Sequence, residues 1–188
     1  VSQYLSVGSL GYYDPETGEM VVRGAADTPN LRITLVHELT HALEDQYFEL
    51  DRPELDDLPD ESGFAFSALV EGSASRVESV YTASLTEEER ADAEAEQLEY
   101  LDGVDVSTFP PVLLEEQRFV YVTGAAFVQA LYDDGGNAAV NRALRRPPTT
   151  SEQIQEPETW PERDPVIEVT APPADGEVVE EGVVGQFL

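Results

Sequence analysis

His37 and His41, the chain's only histidines, stand four residues apart with a glutamate between them, in the run His37-Glu38-Leu39-Thr40-His41. On a helix of 3.6 residues per turn this spacing puts both imidazoles on one face, about a turn apart, where two ring nitrogens can bind one tetrahedral Zn²⁺. The carboxylate of Glu38 then reaches a water that the ion activates, which is the H-E-x-x-H arrangement of zinc-dependent hydrolysis. A pair of surface histidines making ordinary hydrogen bonds is the competing reading of the same residues.

Catalytic zinc takes three protein ligands and keeps a fourth position open. With no third histidine and no cysteine, only oxygen donors remain to complete the set. Glu71 is the best candidate, an isolated acid in the apolar stretch Ala68-Leu69-Val70-Glu71-Gly72-Ser73-Ala74-Ser75. Burying it is costly unless a cation or a donor meets it; an acid on a solvated helix face is the plainer alternative. Glu44 is the rival, on the same helical face as both imidazoles. Three ligands spread along about 10 Å of one straight helix cannot converge on an ion whose bonds are near 2 Å.

The elements that must position these residues can be read along the chain. Gly11 to Arg23 predicts a β-hairpin, with Asp14-Pro15-Glu16-Thr17-Gly18 supplying the turn. Asp27-Thr28 as N-cap and Pro29 at the first position predict a helix to about Leu50, with Ile33, Leu35, Val36, Leu39 and Leu43 as its buried positions. After a polar loop (Asp51 to Asp60), a second helix is expected from Ser62 to Ser84, antiparallel to the first and carrying Phe64, Phe66, Leu69, Val70, Val77 and Val80. Thr86 and Glu89 form a capping box for an acidic helix ending near Gly103. Pro111 opens a further helix to Tyr132, and Asn137 to Arg146 make a last short one beyond Gly135-Gly136.

From Pro147 the prolines describe an extended strap, with a strand expected at Val166 to Val169 and a strand or tail from Gly176 to Leu188. The expected architecture is therefore one α+β domain over 1–188, mostly helical. It divides into a hairpin region (1–27), a helical core carrying the metal residues (28–146) and an extended C-terminal segment (147–188).

Composition narrows the function classes. The 188 residues carry 39 acids against 10 basic residues, net −29, and every basic residue is arginine. Such a surface fits adaptation to brine, where molar salt shortens the Debye length to about 3 Å and relieves self-repulsion. Nucleic acid is disfavoured as a partner, because no basic patch exists to release counterions from phosphate. No apolar run approaches the roughly 20 residues that span a bilayer. A start at Val1 rather than methionine leaves room for an upstream signal or anchor.

H-E-x-x-H followed by a glutamate in a Glu71-Gly72-x-Ala74 context resembles the gluzincin zinc metallopeptidases. The wider run resembles a group of actinobacterial and haloarchaeal proteins classed as metallopeptidases from this motif. It comprises Tyr12-Tyr13-Asp14-Pro15, the metal motif with Ala42-Leu43-Glu44-Asp45-Gln46, Leu69-Val70-Glu71-Gly72-Ser73-Ala74, and Pro147-Pro148-Thr149-Thr150-Ser151-Glu152-Gln153-Ile154. The resemblance implies a zincin-like fold, Zn²⁺ held by His37, His41 and Glu71, and Glu38 as general base in the hydrolysis of a peptide or protein substrate. It also implies a donor such as Tyr121 at the oxyanion, with Tyr81 and Tyr132 as comparable candidates, and a substrate strand added to a sheet edge at Met20 to Arg23.

Ser75 stands where thermolysin-type relatives carry an orienting aspartate, and Gln155-Glu156 where the narrower group carries a histidine. Those departures admit a zinc-bearing but catalytically silent binding or scaffolding domain as the alternative, and hydrolysis of a non-peptide substrate as a second. Relatives are commonly exported, which implies an extracellular or cell-surface location, although a salt-filled cytoplasm selects the same surface.

Overall fold

Tyr12 and Tyr13 on one side of a turn and Met20 to Val22 on the other are β-prone, and they pair as an antiparallel hairpin of β1 (Gly11–Asp14) and β2 (Glu19–Val22). Asp14 Oδ1 accepts from the Glu16 and Thr17 amides, which closes the turn. The computed structural model describes residues 10–24, 27–56, 61–102, 109–162, 170, 176–177, 183 and 185–187.

Helices make up most of the rest. They are α1 (Pro29–Phe48), α2 (Pro53–Asp56), α3 (Ser62–Ser84), α4 (Glu87–Leu101), α5 (Pro111–Arg118), a π-helical turn (Phe119–Thr123), α6 (Gly124–Arg145) and α7 (Ser151–Gln155). The chain is thus α+β and mostly helical, with one small sheet. Thr28 caps α1 through the Leu31 amide, and Thr86 and Glu89 form a reciprocal capping box at α4. Non-helical backbone at Gly135 and Gly136 divides α6 where the two glycines predicted a break.

α3 is the central element. It returns antiparallel to α1: His37 meets Glu78 near one end, while Arg52, just past α1, lies 4.9 Å over the Phe66 ring at the other. On its opposite side α3 crosses α6 through small residues, Ala68 and Gly72 against Gly124. The core collects there: Leu69, Phe119, Phe127, Val128, Leu131 and Leu144 are buried, and Phe64 stacks on Phe119 with centroids 4.8 Å apart.

Two expectations fail in an instructive way. Leu39 and Leu43 are 55% and 56% exposed, while Asn30, Glu38 and His41 are the buried residues of α1. At 100° per residue, Leu43 lies nearly opposite His41. The helix turns its polar face inward, because those polar groups find partners on α3 and the hairpin. Val77 and Val80 of α3 are exposed for the same reason, since Glu71 and Glu78 occupy the inward face there.

The expected C-terminal strap also differs at its start. Thr150 caps α7, and Pro148, Ser151, Gln153, Ile154 and Trp160 are buried against the α3–α6 core. The Glu61 carboxylate accepts the Ser151 amide and Gln153 caps the Thr149 amide, so the segment is docked rather than draped. The strand expected at Val166 to Val169 lies outside the described residues. Within Gly176 to Leu188 the described part includes a 3₁₀ turn, Gly185–Phe187.

Candidate metal centre

α1 offers His37 and His41 on one face, and α3 brings Glu71 to them. Glu71 Oε2 lies 3.1 Å from His37 Nε2 and 3.5 Å from His41 Nε2, and the three ligand atoms all fall within 4.8 Å of one another. A tetrahedral ion with bonds of about 2.0–2.1 Å separates its ligand atoms by about 3.3–3.4 Å, so the donor set fits a metal ion. The imidazoles meet edge to face, centroids 4.8 Å apart and planes at 77°, with both Nε2 atoms aimed at one carboxylate oxygen.

The electrostatics match that of a pocket built around a cation. Burial works against the charged form of Glu71, but hydrogen bonds from His37 and His41 outweigh it and hold the carboxyl down to about 2. Burial likewise lowers His37, yet its hydrogen bonds to Glu71 and Glu78 raise the imidazole to about 10. With no ion bound, a proton on His37 serves as the countercharge.

Glu38 is 7% exposed and sits under β1, where a Cβ on Gly11 would lie 3.3 Å from its Cγ. Burial raises its carboxyl, against the lowering influence of the two imidazoles and of a hydrogen bond from the Tyr13 amide. The ladder accounts for that amide. Arg23 donates to the Leu10 carbonyl, so Tyr13, at a non-hydrogen-bonded register position, turns its N–H away from β2. Its phenol meanwhile donates to Asp45 at 2.8 Å. β1 is therefore the strand beside Glu38.

Tyr121 sits in the π-helical turn. Its ring lies 6.5 Å from that of His37, and it lines the same cavity as His37 and Glu38. Burial of that end raises the phenol, and the Glu71 and Glu38 charges raise it further. π-Turns recur at functional sites because the extra residue re-aims a side chain. Tyr81 and Tyr132 have no such contact with the triad; Tyr132 instead carries Arg76 at 3.4 Å over its ring.

Glu44 stands apart from the triad, its Oε1 accepting from Ser73 Oγ. Ser75 lines the neighbouring cavity. The Gln155 segment docks at Glu61, about 15 Å along the α3 axis from Glu71. Sequence reasoning passed over Glu78, whose Oε2 lies 2.9 Å from His37 Nδ1. Its signal was available: seven residues is two turns, so Glu78 shares the helical face of Glu71.

A cavity of about 1000 Å³ opens from His37, Glu38 and Tyr121. Its walls include apolar Ile33, Phe109, Leu113 and Leu114 together with Glu94 and Glu116. Among the described residues no helix is long and apolar enough to cross a membrane. Comparison with protein-family models, with curated proteins and with solved structures finds no match to this chain.

Proposed function

We propose that the chain is a zinc-dependent peptidase, working at high salt, in which His37, His41 and Glu71 hold Zn²⁺. The observation that carries this reading is one carboxylate oxygen meeting two Nε2 atoms beside a buried, independently held acid at the mouth of a large cavity. Zinc is preferred on the H-E-x-x-H spacing of His37, Glu38 and His41 joined by a glutamate from a second helix, the two-histidine, one-glutamate set of catalytic zinc sites. When bound, the ion would lower the pKa of a water to about 7 and would polarise the substrate carbonyl.

The chain's own residues do the rest. Glu38, buried and with a raised proton affinity, takes the proton of the attacking water and returns it to the leaving amine. Tyr121 donates its phenolic hydrogen to the oxygen on which charge develops. The cavity is at the upper end of the range for a small molecule, which suits several residues of extended peptide, and its mixed walls accept apolar and cationic side chains.

The test is a cleavage screen with a quenched-fluorescent peptide library in molar KCl, with elemental analysis alongside. About one zinc per chain, turnover abolished by chelator and restored by Zn²⁺, and a Glu38→Gln variant that keeps metal but loses turnover are expected. Bound zinc with no cleavage of any peptide favours a silent binding domain instead. Unaltered activity in Glu38→Gln removes the general-base role.

A further inference from the structure

We infer that Glu78 and Glu44 are positioning residues, each holding the Nδ1–H of one metal-facing histidine so that its Nε2 lone pair points at the ion. The inference rests on the triad being a metal site, and it adds what keeps the triad's geometry fixed.

An imidazole that gives Nε2 to a metal carries its proton on Nδ1, and a buried N–H without an acceptor is costly. An anionic acceptor fixes the tautomer and the ring angle, and makes the opposite nitrogen a better donor. His37 meets this requirement directly, with Nε2 facing Glu71 and Nδ1 2.9 Å from Glu78 Oε2. Glu78 is not a fourth ligand, because it lies on the Nδ1 side of the ring, away from the point where Glu71 and the two Nε2 atoms converge.

His41 presents the same need. Its Nε2 also faces Glu71, and its Nδ1 is buried without a hydrogen-bond partner. Three residues on, in the position adjacent on the helix surface, Glu44 has a buried Oε2 that also lacks a partner. Its other oxygen is fixed by Ser73 Oγ of α3. The two atoms are not hydrogen-bonded to each other in this structure, but one unmatched donor and one unmatched acceptor on neighbouring positions are complementary, and a reoriented carboxylate or a bridging water would join them. Ser73 then aims Glu44 as the turn of α3 aims Glu78, and neither role needs an acid at Ser75.

The experiment uses the full chain in molar KCl with Zn²⁺ alone as the probe. In the zinc-loaded wild type, long-range ¹H–¹⁵N spectra of the two rings should show Nδ1 protonated and Nε2 metal-bound in both. Glu78→Gln should shift the Nδ1–H signal of His37 and leave that of His41, and Glu44→Gln should do the reverse. Each should weaken Zn²⁺ by about 10- to 100-fold in competition with a chelating dye. Glu88→Gln, exposed in the first turn of α4, should change neither. A Glu78→Gln or Glu44→Gln protein with wild-type affinity and unmoved ring signals overturns the inference, as does Nδ1 coordination in the wild type, which requires no variant to fold. A wild type that binds no zinc at these histidines overturns the metal reading itself.

Discussion

Gly72 and Gly124 lie back to back where α3 crosses α6: a Cβ on Gly72 would stand 2.3 Å from the carbonyl carbon and oxygen of Gly124. The obstacle is main chain, with no flexible end to give way. Gly72 directly follows Glu71, so the same contact that brings the helices together sets the height of the metal-facing carboxylate. Gly72→Ala is expected to destabilise the chain by about 1–3 kcal/mol through overpacking and to weaken Zn²⁺ binding as α3 is pushed off α6. Denaturant titration in molar KCl, read beside a zinc titration, checks both; unchanged values for the pair would mean that the helices part without moving Glu71.

Without metal, the histidine and glutamate of the triad confer opposite pH dependences. His37 is raised from 6.5 to about 10, so its contribution to stability is complete below about 6.5 and is lost as pH rises through 10. Glu71 is lowered from 4.5 to about 2, so its contribution is complete above 4.5 and is lost as pH falls through 2. The zinc-free chain should therefore be most stable between about pH 4.5 and 6.5 with respect to this pair. On the proposed reading a zinc ion would take the place of the proton on His37, and the alkaline decline should flatten on loading. Thermal unfolding from pH 5 to 10, with and without chelator, measures this, and identical curves count against it.

Tyr121→Phe removes one hydroxyl at the rim of the site and no metal donor. If Tyr121 is the proposed oxyanion donor, kcat should fall by about 10²- to 10³-fold while zinc stoichiometry stays at the wild-type value. A variant that keeps wild-type kcat would return Tyr121 to the role of a packing residue.

The charge of −29 sets the conditions for every measurement. Raising salt from about 0.1 M to 1 M shortens the Debye length from about 10 Å to 3 Å, and the melting temperature should climb with it. A melting temperature independent of KCl would remove adaptation to brine as the explanation of the acidic surface.

Helix ends were legible in the sequence because their signals are local: Thr28 with Pro29, and Thr86 with Glu89, cap the helices they were expected to cap. Hairpin and glycine break were legible for the same reason. Burial was not, because apolar periodicity assumes that the apolar stripe faces inward, whereas α1 buries Glu38 and His41 and exposes Leu39 and Leu43. What reverses the helix is a set of partners from distant segments, Tyr13, Glu71 and Glu78, that no window along α1 contains. The approach of Glu71 to His37 and His41 was inferred from residue type, while Glu78 escaped notice because a second acid on α3 looks like any other in so acidic a chain. Proline content suggested an open strap after Pro147, yet Ile154 and Trp160 were the residues that anchor it.

Tyr13 grips α1 twice, with its amide on Glu38 and its phenol on Asp45. If the hairpin peels away, both holds are released in one event, while the helices beneath keep their own packing. Warming should accordingly free Glu38 before the chain melts: hydrogen exchange at the Tyr13 amide and the fall of the proposed hydrolysis would share one temperature profile, well below that of the protected amides of α3 and α6.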